Sequence, residues 1–463
     1  MVDTLRRCAR ILLVVRSRLF DFPSRVSVVI SKTGAGGRSR PAARNFYISH
    51  SMHPNDLVYT ENLIEFFRQE GIAVETIALT SKGSKPELMR CLNDAAIGIL
   101  GFNVQLDRAW IDSESFLDLA ARANVPVIHW VLDHSSTQWP KFEHATTVNS
   151  RFLFLSHFSE MYFQRYALPG SLTGYTINTG VSRHSRVSRL TREDFLARPY
   201  RCLIPLNLRR IGGTLEDALA RRDRLAPNLV KAVDGAIESA YPDLDLPIEA
   251  HLVAALADAG TSLANDGFNF CLQIIEEVVQ IRRRQWIFKI ARHFPVLIQS
   301  DETAAPFAAG GRAVFETNVD MKTTFSRMKD ARAVLNVSHV NDEIHNRTLN
   351  GLNAGCTNII EDNTVHRRLF KHCENALFFR YDDDSLRQCL DLVCTHPSRA
   401  YEVGEGGFRM RDDQPFRFGG FDNIVKLAQT PLPESCVATR ADGPGSARQT
   451  SVADAAVAGR AAG

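Results

Sequence analysis

A chain of 463 residues with 44% hydrophobic and 23% charged residues has room for two globular domains, each with its own core. Its formal net charge of +3 is nearly balanced, so composition offers no case for nucleic-acid binding, and no run of about 18 apolar residues marks a membrane span. The nine cysteines are scattered without a CxxC pair, so reduced thiols in a cytoplasmic setting are expected, with no disulfide framework and no metal centre.

Residues 1–44 are Arg-rich and acid-poor, with one short apolar run at Ile11 to Val15. The Gly- and Arg-containing stretch at 34–41 reads as a linker, so a disordered leader is expected and the fold should begin after it. From 45 to 181 short apolar runs alternate with amphipathic stretches. Strands are expected at Phe46 to Ile48, Val74 to Leu79, Ala96 to Phe102, Val125 to Leu132, Phe152 to Leu155 and Gly174 to Ile177. The stretch from Leu57 to Gln69 carries an apolar helical face and stops at Gly71. Strands and helices in alternation predict a parallel, doubly wound sheet.

Two loops of this first domain fall at strand carboxyl ends, where open sheets place their chemistry. One runs from Ser49 to Asp56 and lacks the glycines of a dinucleotide fingerprint; its His50 and His53 do not make a metal site. The other holds Asp133 and His134, which read as a helix N-cap or loop-structuring carboxylate beside a histidine, or as a general base for a hydroxyl.

Residues 182–199 are rich in Arg and Ser and read as a connector. A new strand follows at Arg201 to Leu206, and after it a basic loop with Arg209 and Arg210. Those two side chains suit bidentate phosphate contact, or they are solvated arginines at a domain edge. From 214 to 290 the pattern becomes long and helical, with Ile274, Val278, Ile281 and Ile287 on a core stripe and Arg282-Arg283-Arg284 expected on a solvated face. The parallel pattern resumes at Phe294 to Ile298 and Ala313 to Phe315, and a helix is expected from Met321 to Asp330.

The most informative stretch is 331–362. A buried strand at Ala333 to Val337 leads into a polar loop with Asp342 and Glu343. A helix starts near His345 or Asn346, carries Leu349 and Leu352 inward and ends at Gly355, a left-handed cap. A second strand follows at Thr357 to Ile360, completing a βαβ unit. The first-turn amides of that helix and its dipole favour a phosphate, and His345 and Arg347 share the turn. Beyond it come a helix at Val365 to Cys373, a strand at Leu377 to Phe379 and a helix at Ser385 to Cys394. His366, His372 and Cys373 are expected on an exposed helical face, and a disordered tail is expected from Thr430.

Leu335, Asn336, Val337, His345, Arg347, Asn350, Gly355 and the pair Asp362-Asn363 resemble the nucleotide-sugar-binding segment of GT-B glycosyltransferases, in the CgeB-like (spore maturation protein-like) subgroup. Trp130 and Asp133 are similar to a W-x-x-D stretch of that subgroup's amino-terminal domain, and Tyr381-Asp382-Asp383 to the turn before its final helix. The resemblance implies an α/β, GT-B-like fold: two facing Rossmann-like parallel-sheet domains, with the helical insert in the second. The first domain, 45–181, would take the acceptor and the second, 200–429, the donor. The implied reaction moves a sugar from a nucleotide-diphosphate sugar to an acceptor hydroxyl, with no cofactor and with helix dipoles and basic side chains in place of a metal. It assigns Arg209, Arg210, His345 and Arg347 to the diphosphate, Asp342, Glu343 and Asn350 to sugar and ribose hydroxyls, and Asp133 with His134 to catalysis. The superfamily's Glu-x7-Glu falls on Asp342 and Asn350, so the second acid is an amide. That substitution and the glycine-poor loop from Ser49 to Asp56 keep a second reading open, a catalytically inactive GT-B-like protein that binds a glycan or a partner.

Overall fold

Side chains that alternate between two apolar faces build the first sheet. In β1 (Phe46–His50), Phe46 and Ile48 enter one core and Tyr47 the other, so the strand is buried on both sides, as a parallel sheet requires. The computed structural model describes residues 45–431 apart from 51–53, 80–83, 94–95, 133–137, 139–140, 143–146, 148, 168–170, 177–179, 209–212, 309, 318, 339–343, 414–415 and 417–419. The expected leader and most of the expected tail lie outside these residues.

After β1 come α1 (Pro54–Gln69), β2 (Val74–Ala78), α2 (Ser84–Asn93) and β3 (Gly98–Phe102). A small hairpin, β4 (Trp110–Ile111) with β5 (Glu114–Ser115), precedes α3 (Phe116–Arg122) and β6 (Val127–Val131). The lobe continues through β7 (Ser150–Phe154), α4 (His157–Tyr162) and β8 (Thr173–Tyr175). Its six-stranded sheet has the order β2-β1-β3-β6-β7-β8 and every pairing is parallel.

A short helix, α5 (Arg192–Ala197), capped by the Thr191 hydroxyl, stands in the stretch expected to be a connector. The second sheet begins at β9 (Tyr200–Pro205). Four helices then form the expected insert: α6 (Leu215–Arg222), α7 (Pro227–Ala240), α8 (Ile248–Asp258) and α9 (Asn265–Ala291). The chain returns through β10 (Leu297–Ser300), α10 (Ala305–Ala308), β11 (Val314–Thr317), α11 (Met321–Met328) and β12 (Ala331–Leu335). It ends with α12 (Asn346–Asn353), β13 (Thr357–Glu361), α13 (Thr364–Leu369), β14 (Leu377–Phe379), α14 (Asp383–Thr395), α15 (Pro397–Met410) and α16 (Asp422–Gln429). The second sheet has the order β11-β10-β9-β12-β13-β14, again all parallel. The chain is therefore α/β with two Rossmann-like lobes, the expected GT-B-like architecture.

Two features depart from the expected domain layout. Residues 421–428 do not stay with the second lobe: Phe421, Ile424 and Leu427 pack into the first lobe's core beside Phe66 and Trp130. The Phe421 ring meets Trp130 edge-on at 5.4 Å and Phe66 at 5.5 Å. The insert also reaches across. Tyr162 at the end of α4 is buried in the insert's core with Ile275 and Val279, and its hydroxyl bonds Asn269 of α9.

The basic trio on α9 is not a solvated face. Arg282 fits that expectation and pairs with Glu238 at 2.8 Å, but Arg283 and Arg284 are buried. Arg283 donates to the carbonyls of Ala240, Tyr241 and Asp243, capping the carboxyl end of α7 with a cation. Arg284 donates to the Asn207 carbonyl at 2.6 Å.

Candidate functional site

In an open parallel sheet the chain order reverses at one place, and ligands bind outside the carboxyl ends of the two strands there. In the second sheet that place lies between β9 and β12, since β10 and β11 extend one way from β9 and β13 and β14 the other way from β12. The segments leaving those two strands are the ones that carry Arg209 and Arg210, and Asp342 and Glu343. All four residues lie outside the described set, but their flanks are fixed: Leu208 and Ser338 are both buried at strand carboxyl ends. In the first sheet the reversal lies between β1 and β3. Asp133 and His134 follow the neighbouring strand β6 and also lie outside the described residues. Leu132, just before them, is tied to β3 by its N–H to Asn103 Oδ1 at 2.8 Å.

Helix α12 begins where the sequence suggests. His345 is its cap: Nδ1 accepts the Arg347 N–H at 3.2 Å, so the ring's proton sits on Nε2 in the neutral form. His345 and Arg347 are both half-buried. The helix closes in a Schellman motif, with Cys356 N–H donating to the Gly351 carbonyl and Gly355 N–H to that of Leu352. Gly355 has φ +67°, the left-handed value expected of it. Gly351 is required for another reason: a Cβ there would lie 2.6 Å from Val334 Cγ1 and would also strike the Asn358 carboxamide. The helix is thus pressed directly onto β12 and β13, which fixes its amino end relative to the strand ends.

That amino end is where the two lobes meet. Asn346 Nδ2 donates to the Tyr59 hydroxyl of α1 at 3.1 Å. Nearby, Val58 packs with Phe325, Met328 and Val334, and Arg183 pairs with Glu61 at 3.0 Å.

Asn350 is placed as a brace, bonded to main chain and side chain of the protein itself. Its Oδ1 accepts the Ser182 N–H at 2.8 Å and the Ser185 hydroxyl at 2.7 Å, and its Nδ2 donates to the Asn346 carbonyl at 2.7 Å. One turn on, Asn353 donates to the Ser182 carbonyl and bonds Ser185 Oγ. The residue expected to touch ribose thus also ties α12 to the segment joining the lobes. The amide is explained by this use: the position needs one acceptor and one donor, and a carboxylate supplies only acceptors.

Behind the strand ends lies a buried group that sequence reasoning did not single out. Glu361, at the carboxyl end of β13, is 1% exposed. Burial raises the pKa of its carboxyl, while Arg283, Tyr381 and Ser338 act in the opposite sense. Asp362, its neighbour, faces outward; burial raises its pKa too, yet Arg367 at 2.9 Å and Arg380 at 2.7 Å hold it below the usual value.

His366 contradicts its expected place on an exposed face. It is fully buried, with Nδ1 2.6 Å from the Glu361 carbonyl, because α13 turns back under β13. Nδ1 carries the proton and donates it. Burial lowers its pKa from 6.5 to about 4. The unfolded chain therefore takes up this proton at higher pH than the folded one, and stability falls as pH drops between those values. The total should be about 3 kcal/mol for this group between pH 7 and pH 4. A His366→Gln variant keeps an N–H for the carbonyl and should lose that part of the acid limb, as measured by urea unfolding across the same range. His372 instead accepts the Phe378 N–H at 2.9 Å, and no cluster of metal-ligating residues occurs among the described residues.

Comparison with known proteins adds three observations. Residues 282–414 match the family model described as glycosyl transferase-like. No curated protein matches the sequence. Among solved structures, Anabaena HepE in complex with UDP and glucose is similar over 86% of this chain and 99% of its own, at 10% identity and a TM-score of 0.43. The T4 phage BGT in complex with its UDP-glucose substrate covers 84% and 100%, at 9% identity and 0.45. The sucrose-phosphate synthase of Thermosynechococcus elongatus covers 86% and 100%, at 10% identity and 0.45. The matched segment runs from within α9 past α15 and so includes α12 and β13.

Proposed function

We propose that this protein transfers a sugar from a nucleotide-diphosphate sugar to an acceptor hydroxyl, as a CgeB-like glycosyltransferase. The observation that carries the reading is the coincidence of the sheet's reversal point with the amino end of α12. There one turn of helix offers oriented backbone dipoles, a histidine cap and Arg347, the residue after the Asn346 that bonds Tyr59 of the other lobe. The leaving group in such a transfer is a nucleoside diphosphate, whose developing charge needs fixed positive partners. Arg347 and His345 supply them from α12, and Arg209 and Arg210 from the segment after β9. Asp342 and Glu343 serve sugar and ribose hydroxyls, and Asn350 serves by holding the helix. Asp133, with His134, is the base for the acceptor hydroxyl at the edge of the first lobe. The chemistry runs without a bound metal on this reading.

A cytoplasmic setting fits the cysteines, since the seven among the described residues are all free thiols. No helix of the described residues is long and apolar enough to cross a membrane. The second reading, an inactive GT-B-like binder of a glycan or partner, is favoured by the amide at position 350 and by the glycine-poor loop from Ser49 to Asp56. Its bracing bonds give that amide a separate explanation.

The test is incubation with radiolabelled UDP- and GDP-sugars in EDTA, with release of free sugar measured over hours. Slow hydrolysis of one donor above the buffer rate is expected. Binding of a donor with no release would favour the inactive binder.

A further inference from the structure

Among the contacts between the insert that separates β9 from β10 and the rest of the second lobe is a buried charged group around Glu361. Glu361 Oε2 accepts the Ser338 N–H at 2.8 Å, and Oε1 accepts the Tyr381 hydroxyl at 2.6 Å. Arg283 Nη1 of α9 stands 4.0 Å from the same Oε1, and its guanidinium lies over the Tyr381 ring, 4.7 Å from the centroid. Ser338 follows β12, Glu361 ends β13 and Tyr381 follows β14. One carboxylate thus joins the carboxyl ends of three neighbouring strands, and one arginine joins them to the insert. The Tyr381 ring is held from the insert side as well. Tyr241 lies 5.7 Å from it and Trp286 5.3 Å, and Trp286 Nε1 donates to Asp383 at 3.0 Å.

We propose that Arg283, Glu361 and Tyr381 are positioning residues for the donor, through which the helical insert fixes the strand ends that hold the nucleotide sugar. This rests on the transferase reading above. Two things separate such a role from simple packing. A buried ion pair is a poor source of net stability, because desolvation consumes most of its Coulombic gain, so an apolar core would hold the insert as well. The group also lies at the ligand-binding edge of the sheet, since Ser338 follows β12, one of the two strands between which the chain order reverses. What the charges give is geometry: directional bonds to a main-chain N–H and a hydroxyl at fixed places on adjacent strands.

The test compares Tyr381→Phe and the double variant Arg283→Gln/Glu361→Gln with the wild type. The first loses one hydroxyl, and the second leaves no buried charge behind, so both are expected to fold. Leu256→Ala, in the insert's core, is the control for general loosening. Titration calorimetry with UDP and with GDP gives nucleotide affinity, and hydrolysis of UDP-[14C]glucose or GDP-[14C]mannose, whichever the wild type cleaves, gives KM and kcat. Both positioning variants should raise donor KM about tenfold with kcat within about twofold, while Leu256→Ala lowers the melting temperature and leaves KM unchanged. Wild-type nucleotide affinity in both folded variants would overturn the positioning role and leave the transferase reading standing. A wild type that binds neither UDP nor GDP would overturn both.

Discussion

An Arg347→Ala variant should bind its nucleotide-sugar donor roughly 10- to 100-fold more weakly than the wild type. The reason is the place of this residue in the helix. Arg347 stands in the first turn of α12, half-buried, beside a cap formed by His345 and within one turn of the Asn346–Tyr59 bond between lobes. A charge-assisted bond to a phosphate oxygen in such a site is worth roughly 1.5–3 kcal/mol, which sets the size of the loss. The helix itself should persist, because its cap uses the Arg347 backbone and its inner face rests on Leu349 and Leu352. The melting temperature should therefore move by only about 3 °C or less. Calorimetric titration measures the first quantity and scanning calorimetry the second. A large affinity loss in a fully folded variant is the result that marks a ligand contact.

The second large effect is on stability. Asn350→Asp should cost about 3–5 kcal/mol, although the two side chains have almost the same shape. In the wild type Nδ2 donates to the Asn346 carbonyl at 2.7 Å while Oδ1 takes the Ser182 N–H and the Ser185 hydroxyl. A carboxylate would set a charged oxygen against that carbonyl in a site where Asn350 is 1% exposed. The buried charge would then have neutral partners on one side and a repelling dipole on the other. Urea unfolding at neutral pH should show the loss, and it should shrink at acid pH, where the new side chain becomes neutral and can donate. An Asp variant as stable as the wild type would mean that the bracing bonds do not govern this position.

Most of the sheet was legible in the sequence because its strands are short apolar runs buried on both faces, and such runs stand out between helical stretches. Val127 to Val131 and Thr357 to Glu361 are examples in which every residue is buried. Helix α12 was legible for a different reason: Gly355 and the polar residues at 345 and 346 mark its two ends. Helix α15 left no comparable mark. Gly404, Gly406 and Gly407 lower its intrinsic propensity, yet a Cβ at Gly407 would lie 2.8 Å from the Asn375 carbonyl oxygen, so close packing selects glycine and holds the helix. The return of Phe421 to the first lobe is likewise a tertiary choice with no local signal.

The site was legible as a place more than as a set of contacts. Strand, polar loop, helix and glycine locate the carboxyl edge of a sheet, but a lone Asn does not reveal whether it faces a ligand or a serine 168 positions earlier in the chain. Burial of Arg283, Arg284 and His366 was missed for the same kind of reason. A basic or imidazole side chain on a helix is ordinarily solvated, but here carbonyl groups from distant segments take the two guanidinium N–H bonds and the carbonyl of Glu361, on the preceding strand, takes that of His366.

The central claim is that the amino end of α12 and the strand ends beside it bind the diphosphate of a nucleotide sugar. A thermal-shift panel of nucleoside mono-, di- and triphosphates in EDTA tests it most directly. Saturation a hundredfold above Kd stabilises the folded state by about 2.7 kcal/mol, a shift of several degrees. The account predicts that one nucleoside diphosphate raises the melting temperature well above its monophosphate and that other bases do little. A flat response across the panel would contradict it.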